Sequence, residues 1–178
     1  MAALLLFAVV VVFNEGRPAS PERHQRAFDR AQMESYEVLR NVDGRRMPPG
    51  LQSALITALG NRSAGLRFGE AVPVPTRNGR LWLVAGGGIT CIVQEQGEAL
   101  SCLASGAFVK KGLAVGMFKP PSQPDGRPTE FLVLGVAPDR AEKVRLKVAG
   151  TMRGISTHQN AYSYEADRPI TVEGFEGG

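Results

Sequence analysis

The sequence is poor in the residues from which metal and redox centres are built. Its 178 residues include two cysteines, Cys91 and Cys102, and two histidines, His24 and His158. The histidines lie far from each other and from the cysteines, and no spacing resembles a zinc pattern, so neither a metal site nor a cofactor is expected. Runs of like charge are also missing. The basic residues exceed the acidic ones by 21 to 17, a net charge of +4, yet the longest basic clusters are the pairs Arg45-Arg46 and Lys110-Lys111. A nucleic-acid binder would carry a stripe of Lys and Arg interleaved with aromatics, so nucleic acid is not an expected partner. Long apolar runs are equally scarce. The one uninterrupted stretch, Ala2 to Phe13, would span about 18 Å as a helix against the roughly 30 Å of a bilayer core, which excludes a multi-span membrane protein.

Glycine and proline, in contrast, are plentiful at 21 and 12 residues. Such a content of helix breakers argues against a helical bundle, and the length suits one domain with appendages. The apolar start at residues 1–13 has the length of a signal-peptide core. It lacks the basic flank that precedes such a core and the small-residue cleavage site that follows one, and its nearest basic residues, Arg17, Arg23, Arg26 and Arg30, lie after it. The expectation is a membrane anchor or signal core whose basic flank and first turns lie ahead of Met1, translation starting at a site upstream of it. A cleaved leader and an ordinary buried segment are the alternatives.

Beyond it, residues 14–40 read as a stalk helix and linker. Ser20 is its N-cap, Pro21 opens the first turn, and apolar content is thin (Ala27, Phe28, Ala31 and Met33). Ser35 to Arg40 reads as the segment that docks the stalk on the domain. Residues 41–69 hold a short amphipathic helix built on Leu51, Ala54, Leu55, Ala58 and Leu59, closed by Gly60. From residue 70 to 173 the pattern switches to short strands: 72–76, 81–84, 89–94, 99–103, one or two within 108–118, 130–137, 143–148, 160–165 and 170–172. Asn78-Gly79 is a strong hairpin signal, and Pro73 and Pro75 assign the first strand to a sheet edge. Pro120 to Pro128, with four prolines, reads as an exposed loop, and 174–178 as a tail. The expected fold is mainly β (α+β): a small antiparallel β-sandwich or barrel preceded by two short helices and an N-terminal apolar anchor segment.

If Gln96-Gly97 forms the tip of a hairpin, pairing runs outward to set Cys91 opposite Cys102. Directly paired residues of antiparallel strands lie about 4.5–5.5 Å apart, a separation a disulfide spans. A Cys91–Cys102 disulfide implies an oxidising compartment; buried thiols or a metal site are the other readings. Gly86-Gly87-Gly88 follows a strand, where a phosphate loop would sit, but a β-branched run rather than a helix comes next, so a bend between strands is expected. Asn61-Arg62-Ser63 matches a glycosylation acceptor and carries no weight by itself. No catalytic residue is assigned. His158, with Ser156 or Ser163 and Asp139 or Asp167, is the one candidate for a hydrolytic triad, but no Gly-x-Ser-x-Gly elbow supports it and a solvated loop histidine is the plainer reading. Asp139 and Glu142 sit in a turn and do not suggest an acid/base pair.

Several elements together resemble a group of uncharacterised extracytoplasmic proteins of high-GC Gram-positive bacteria. They are Glu37-Val38-Leu39-Arg40, Leu81-Trp82-Leu83-Val84 before the glycines, Cys91-Ile92-Val93 with Ser101-Cys102, Leu134 to Asp139, Val144 with Leu146, and Asn160-Ala161-Tyr162. The resemblance implies a surface location and a shared architecture, and no activity. The function expected is therefore that of a membrane-tethered extracytoplasmic β-domain, held to the membrane by residues 1–13 and binding a protein or cell-envelope component. A hydrolase using His158 and a soluble secreted binding or inhibitor protein are the alternatives.

Overall fold

A computed structural model describes residues 28–97, 99–119 and 130–177. The expected anchor, the helix start at Ser20 and the proline-rich insert from residue 120 lie outside the described residues. Within them the chain runs α1 (Arg30–Ser35), α2 (Glu37–Asn41), α3 (Pro49–Leu59), two 3-10 turns, β1 (Val72–Thr76), β2 (Gly79–Gly86), β3 (Ile89–Gln94), β4 (Leu100–Ala104), α4 (Ser105–Lys111), β5 (Leu113–Lys119), β6 (Glu130–Val136), β7 (Lys143–Val148), β8 (Thr151–Ser156), β9 (Ala161–Ala166) and β10 (Ile170–Glu176). The strands form three antiparallel sheets with orders β1-β2-β3-β4, β5-β6-β9 and β10-β7-β8.

These sheets stack, and the two-residue period of each strand assigns its side chains to a layer. In the first sheet, Val72, Leu83 and Ile92 stand on one face and Trp82, Val84, Cys91 and Cys102 on the other. The first face packs on Leu113, Val115, Leu132, Leu134 and Val136 of the second sheet, with Phe28, Tyr36, Val38, Leu39 and Phe108 filling the same core. The second face is covered by α3 through Leu51, Leu55 and Leu59. Burial on both faces is why Leu81 to Ala85 is an unbroken apolar run. The reverse face of the second sheet presents Val133, Tyr162 and Tyr164 to Val144, Leu146, Val172 and Phe175 of the third sheet. The outer face of that third sheet is left to solvent. The architecture is thus a small antiparallel sandwich with an added sheet.

Four features depart from the sequence reading. The described part of the expected stalk, residues 28–34, is not solvated throughout: Phe28 and Gln32 are buried, continuous with the docking segment Ser35–Arg40, where Tyr36, Val38 and Leu39 are buried and the Tyr36 ring stacks on Phe108 with centroids 4.3 Å apart. Gln32 explains the misreading, because a polar residue inside the buried stripe dilutes the apolar period; it closes a capping box with Asp29 and donates to Thr90 Oγ1. Ser105 to Lys111 is helical rather than extended, ended by Gly112 at φ +62 and carrying Lys110 and Lys111 in its last turn. Thr151 to Ser156, where no strand is expected from the sequence, is the edge strand β8. Residues 174–176, expected to be tail, complete the ladder of β10 with β7.

Candidate functional site

The cysteine hairpin has the register expected from its turn. Ile92 pairs with Ser101 and Cys91 with Cys102, the Gln94 N–H donates to Ala99 O at 2.9 Å, and Cys91 and Cys102 are joined with a Cα separation of 4.0 Å. Both are buried beside Trp82 and Val84 under α3, so the bond staples the central strand β3 to the edge strand β4 from inside the core.

The glycine triple is a strand bend. Gly87 and Gly88 form the turn between β2 and β3 at φ +59 and +82, a two-residue connection that suits sheet twist. Gly86 is demanded by a neighbour as well, since a Cβ there would lie 2.0 Å from Gly65 O. The backbone of the 3-10 turn passes directly over this bend.

The residues considered for a triad are not brought into one relay. The His158 backbone closes a tight turn by exchanging two hydrogen bonds with Ala161, and its imidazole is exposed with no hydrogen-bond partner among the described residues. Ser163 Oγ donates to Asn78 Oδ1 at 2.7 Å, Ser156 ends the exposed strand β8, and Asp167 is exposed. Asp139 is committed to the N-terminal helices. Its Oδ1 accepts from the Glu37 N–H at 2.6 Å and from Asn160 Nδ2 at 2.7 Å, while its Oδ2 accepts from Arg40 at 2.8 Å. Partial burial pushes this carboxyl up, but the bonds from Asn160, Arg40 and the Glu37 N–H outweigh it and the net shift is downward. Asn160, held at φ +66, accepts from the Val38 N–H at 2.9 Å. Asp139 and Asn160 together satisfy the open N–H groups of α2, a capping role filled from far along the chain.

The concentration of charge lies elsewhere, on the solvent face of the third sheet. Lys143, Arg145 and Lys147 are exposed at alternate positions of its central strand β7, while Val144 and Leu146 point into the core. The cross-strand neighbours of Arg145 are glycine on both sides, Gly154 on β8 and Gly174 on β10. The guanidinium lies toward Gly174 and the Lys143 stem toward Gly154. Between them is an open recess of about 300 Å³ whose lining includes Lys143, Arg145, Arg153, Gly154 and Glu176. Arg145 Nε is 3.8 Å from Glu176 Oε1, a loose pairing of two exposed groups. The strip does not show as a run of contiguous basic residues; its signal in the sequence is a two-residue period of cations within a segment that reads as a strand.

No family model, curated protein or solved structure matches the chain.

Proposed function

We propose that the chain is an extracytoplasmic β-domain, tethered to the membrane by residues 1–13, which binds a cell-envelope or protein partner rather than transforming a substrate. The Cys91–Cys102 pair carries the placement: two cysteines stand in direct register inside the core and are joined there, and such bonds persist in oxidising compartments. The binding role is supported by the commitment of Asp139 and Asn160 to the N-terminal helices, beside an exposed sheet face that remains free to meet a partner.

The test is the redox state of Cys91 and Cys102 in protein taken from its native compartment, acid-quenched, alkylated under denaturing conditions that expose the buried sulfurs, and read as a mass shift before and after reduction. The expected result is no alkylation until a reductant is added. Free thiols in the native protein would overturn the placement. N-terminal sequencing of the same material separates a tethered from a released form.

A further inference from the structure

We propose that the solvent face of the β10-β7-β8 sheet binds a linear, phosphate-bearing polyanion laid along β7. This deepens the binding role just proposed and rests on it.

The strip supplies three cations in line. Alternate residues of a strand are about 6.7 Å apart, so Lys143, Arg145 and Lys147 form a row of about 13 Å with all three charges on one face. Glycines are the direct cross-strand partners of Arg145, so the only charged side chain paired with it among the described residues is the loosely held Glu176, and a ligand can approach the guanidinium over Gly154 and Gly174. Arg145 and Lys143 diverge over those glycines and border the recess from two sides. A guanidinium beside an ammonium suits tetrahedral oxyanions, the first as a fork and the second as a point charge.

The shape of the charge favours a polymer over a membrane. Glu173 is exposed on the adjacent strand β10, where a lipid surface would bring anionic headgroups against it, whereas Glu176 borders the recess and its loose pairing with Arg145 is what a chain following β7 must displace. Met152, half exposed, is the one large apolar side chain presented there, which gives little to insert into a bilayer. The outward positions of β7, β8 and β10 hold no aromatic residue for bases to stack on, which disfavours nucleic acid.

The test uses the full chain in a nonionic detergent, titrated calorimetrically with inorganic polyphosphate over a series of salt concentrations. Binding is expected at low salt, with log affinity falling against log salt at a slope of about −2 for three contacts, taking the single-strand coefficient. The variant K143Q/R145Q/K147Q should lose about tenfold or more in affinity, whereas R46Q/R77Q/R168Q, which removes the same charge from other exposed sites, should lose less than about twofold. R145E alone, at an exposed position, serves if the triple variant melts early. No binding, or an equal loss in both triple variants, overturns the proposal. Tighter binding to vesicles of anionic phospholipid or to single-stranded DNA than to polyphosphate also overturns it and reassigns the face. The titration is independent of compartment, so its failure leaves the disulfide-based placement standing, and free thiols would leave the titration result standing.

Discussion

Gly135 of β6 and Tyr162 of β9 are register partners, and the tyrosine ring lies over the glycine so closely that a Cβ on Gly135 would meet Cζ at 2.3 Å. The ring is buried between the second and third sheets, and its hydroxyl has no hydrogen-bond partner among the described residues. Burial holds the phenol well above its ordinary pKa, so it stays protonated. Substituting Gly135→Ala should cost about 3 kcal/mol, because neither the strand nor the ring can move without opening the core. Tyr162→Phe should match or exceed the wild type by about 1 kcal/mol, since it removes a polar atom that burial penalises. Urea unfolding checks both, and a Gly135→Ala protein of wild-type stability would refute this packing.

Asp139 is expected to make stability depend on pH. Its carboxyl is depressed in the folded state, so its contribution is fully present above the ordinary value of 3.8 and is lost as pH falls through the lower folded value. Asp139→Asn loses the charge facing Arg40 and should cost about 1 kcal/mol at neutral pH. The gap between variant and wild type should narrow below pH 3.8, as the native carboxyl is neutralised. Denaturation midpoints across that range decide it; a constant gap would assign the cost to packing alone.

Reducing the Cys91–Cys102 bond releases a short loop within one hairpin. The chain-entropy relation gives about 3 kcal/mol for a loop of this size. Unfolding with and without a reductant should show that difference, and Cys91→Ala/Cys102→Ala should lose at least as much because it also empties buried volume beside Trp82. Identical curves would mean that the bond constrains nothing the fold does not already hold.

The glycine bend separates two kinds of cost. At Gly88 the space is open and only its φ of +82 resists a side chain, so Gly88→Ala should cost about 1 kcal/mol. Gly86 has a positive φ as well, +146, and there a methyl group would also strike the Gly65 carbonyl, so Gly86→Ala should cost about 3 kcal/mol, the excess over Gly88→Ala reporting the clash. Comparing the two by thermal unfolding tests whether the passing 3-10 turn is tightly seated on the bend.

What could be read in advance follows from where the information lies. The β2-β3 and β3-β4 connections were legible because Gly87-Gly88 and Gln96-Gly97 declare turns, and counting outward from the second places Cys91 opposite Cys102. β8 was not, since Thr151 to Ser156 has no apolar alternation: Ile155 is its only partly buried side chain, and backbone pairing to β7 holds the rest. Its one local signal was Ala149-Gly150, both at positive φ, forming the hairpin tip. α4 was hidden because Phe108 is its sole buried side chain. The docking of α2 depends on Asp139 and Asn160, whose partnership with Glu37 and Val38 spans about a hundred positions and leaves no local trace. The basic strip was within reach, and needed charge to be counted with the strand period.

The exposed edge strand β8 has a consequence for dynamics. Backbone amides exchange with solvent through local openings, and the cost of an opening scales with the apolar surface it uncovers. β3, buried through nearly its whole length, should exchange only on global unfolding, whereas β8 uncovers little more than Ile155 when it lifts from β7. The edge beside the cationic row therefore opens before the buried centre of the first sheet. A bound polyanion lying along β7 would slow deuterium uptake there while leaving β3 untouched.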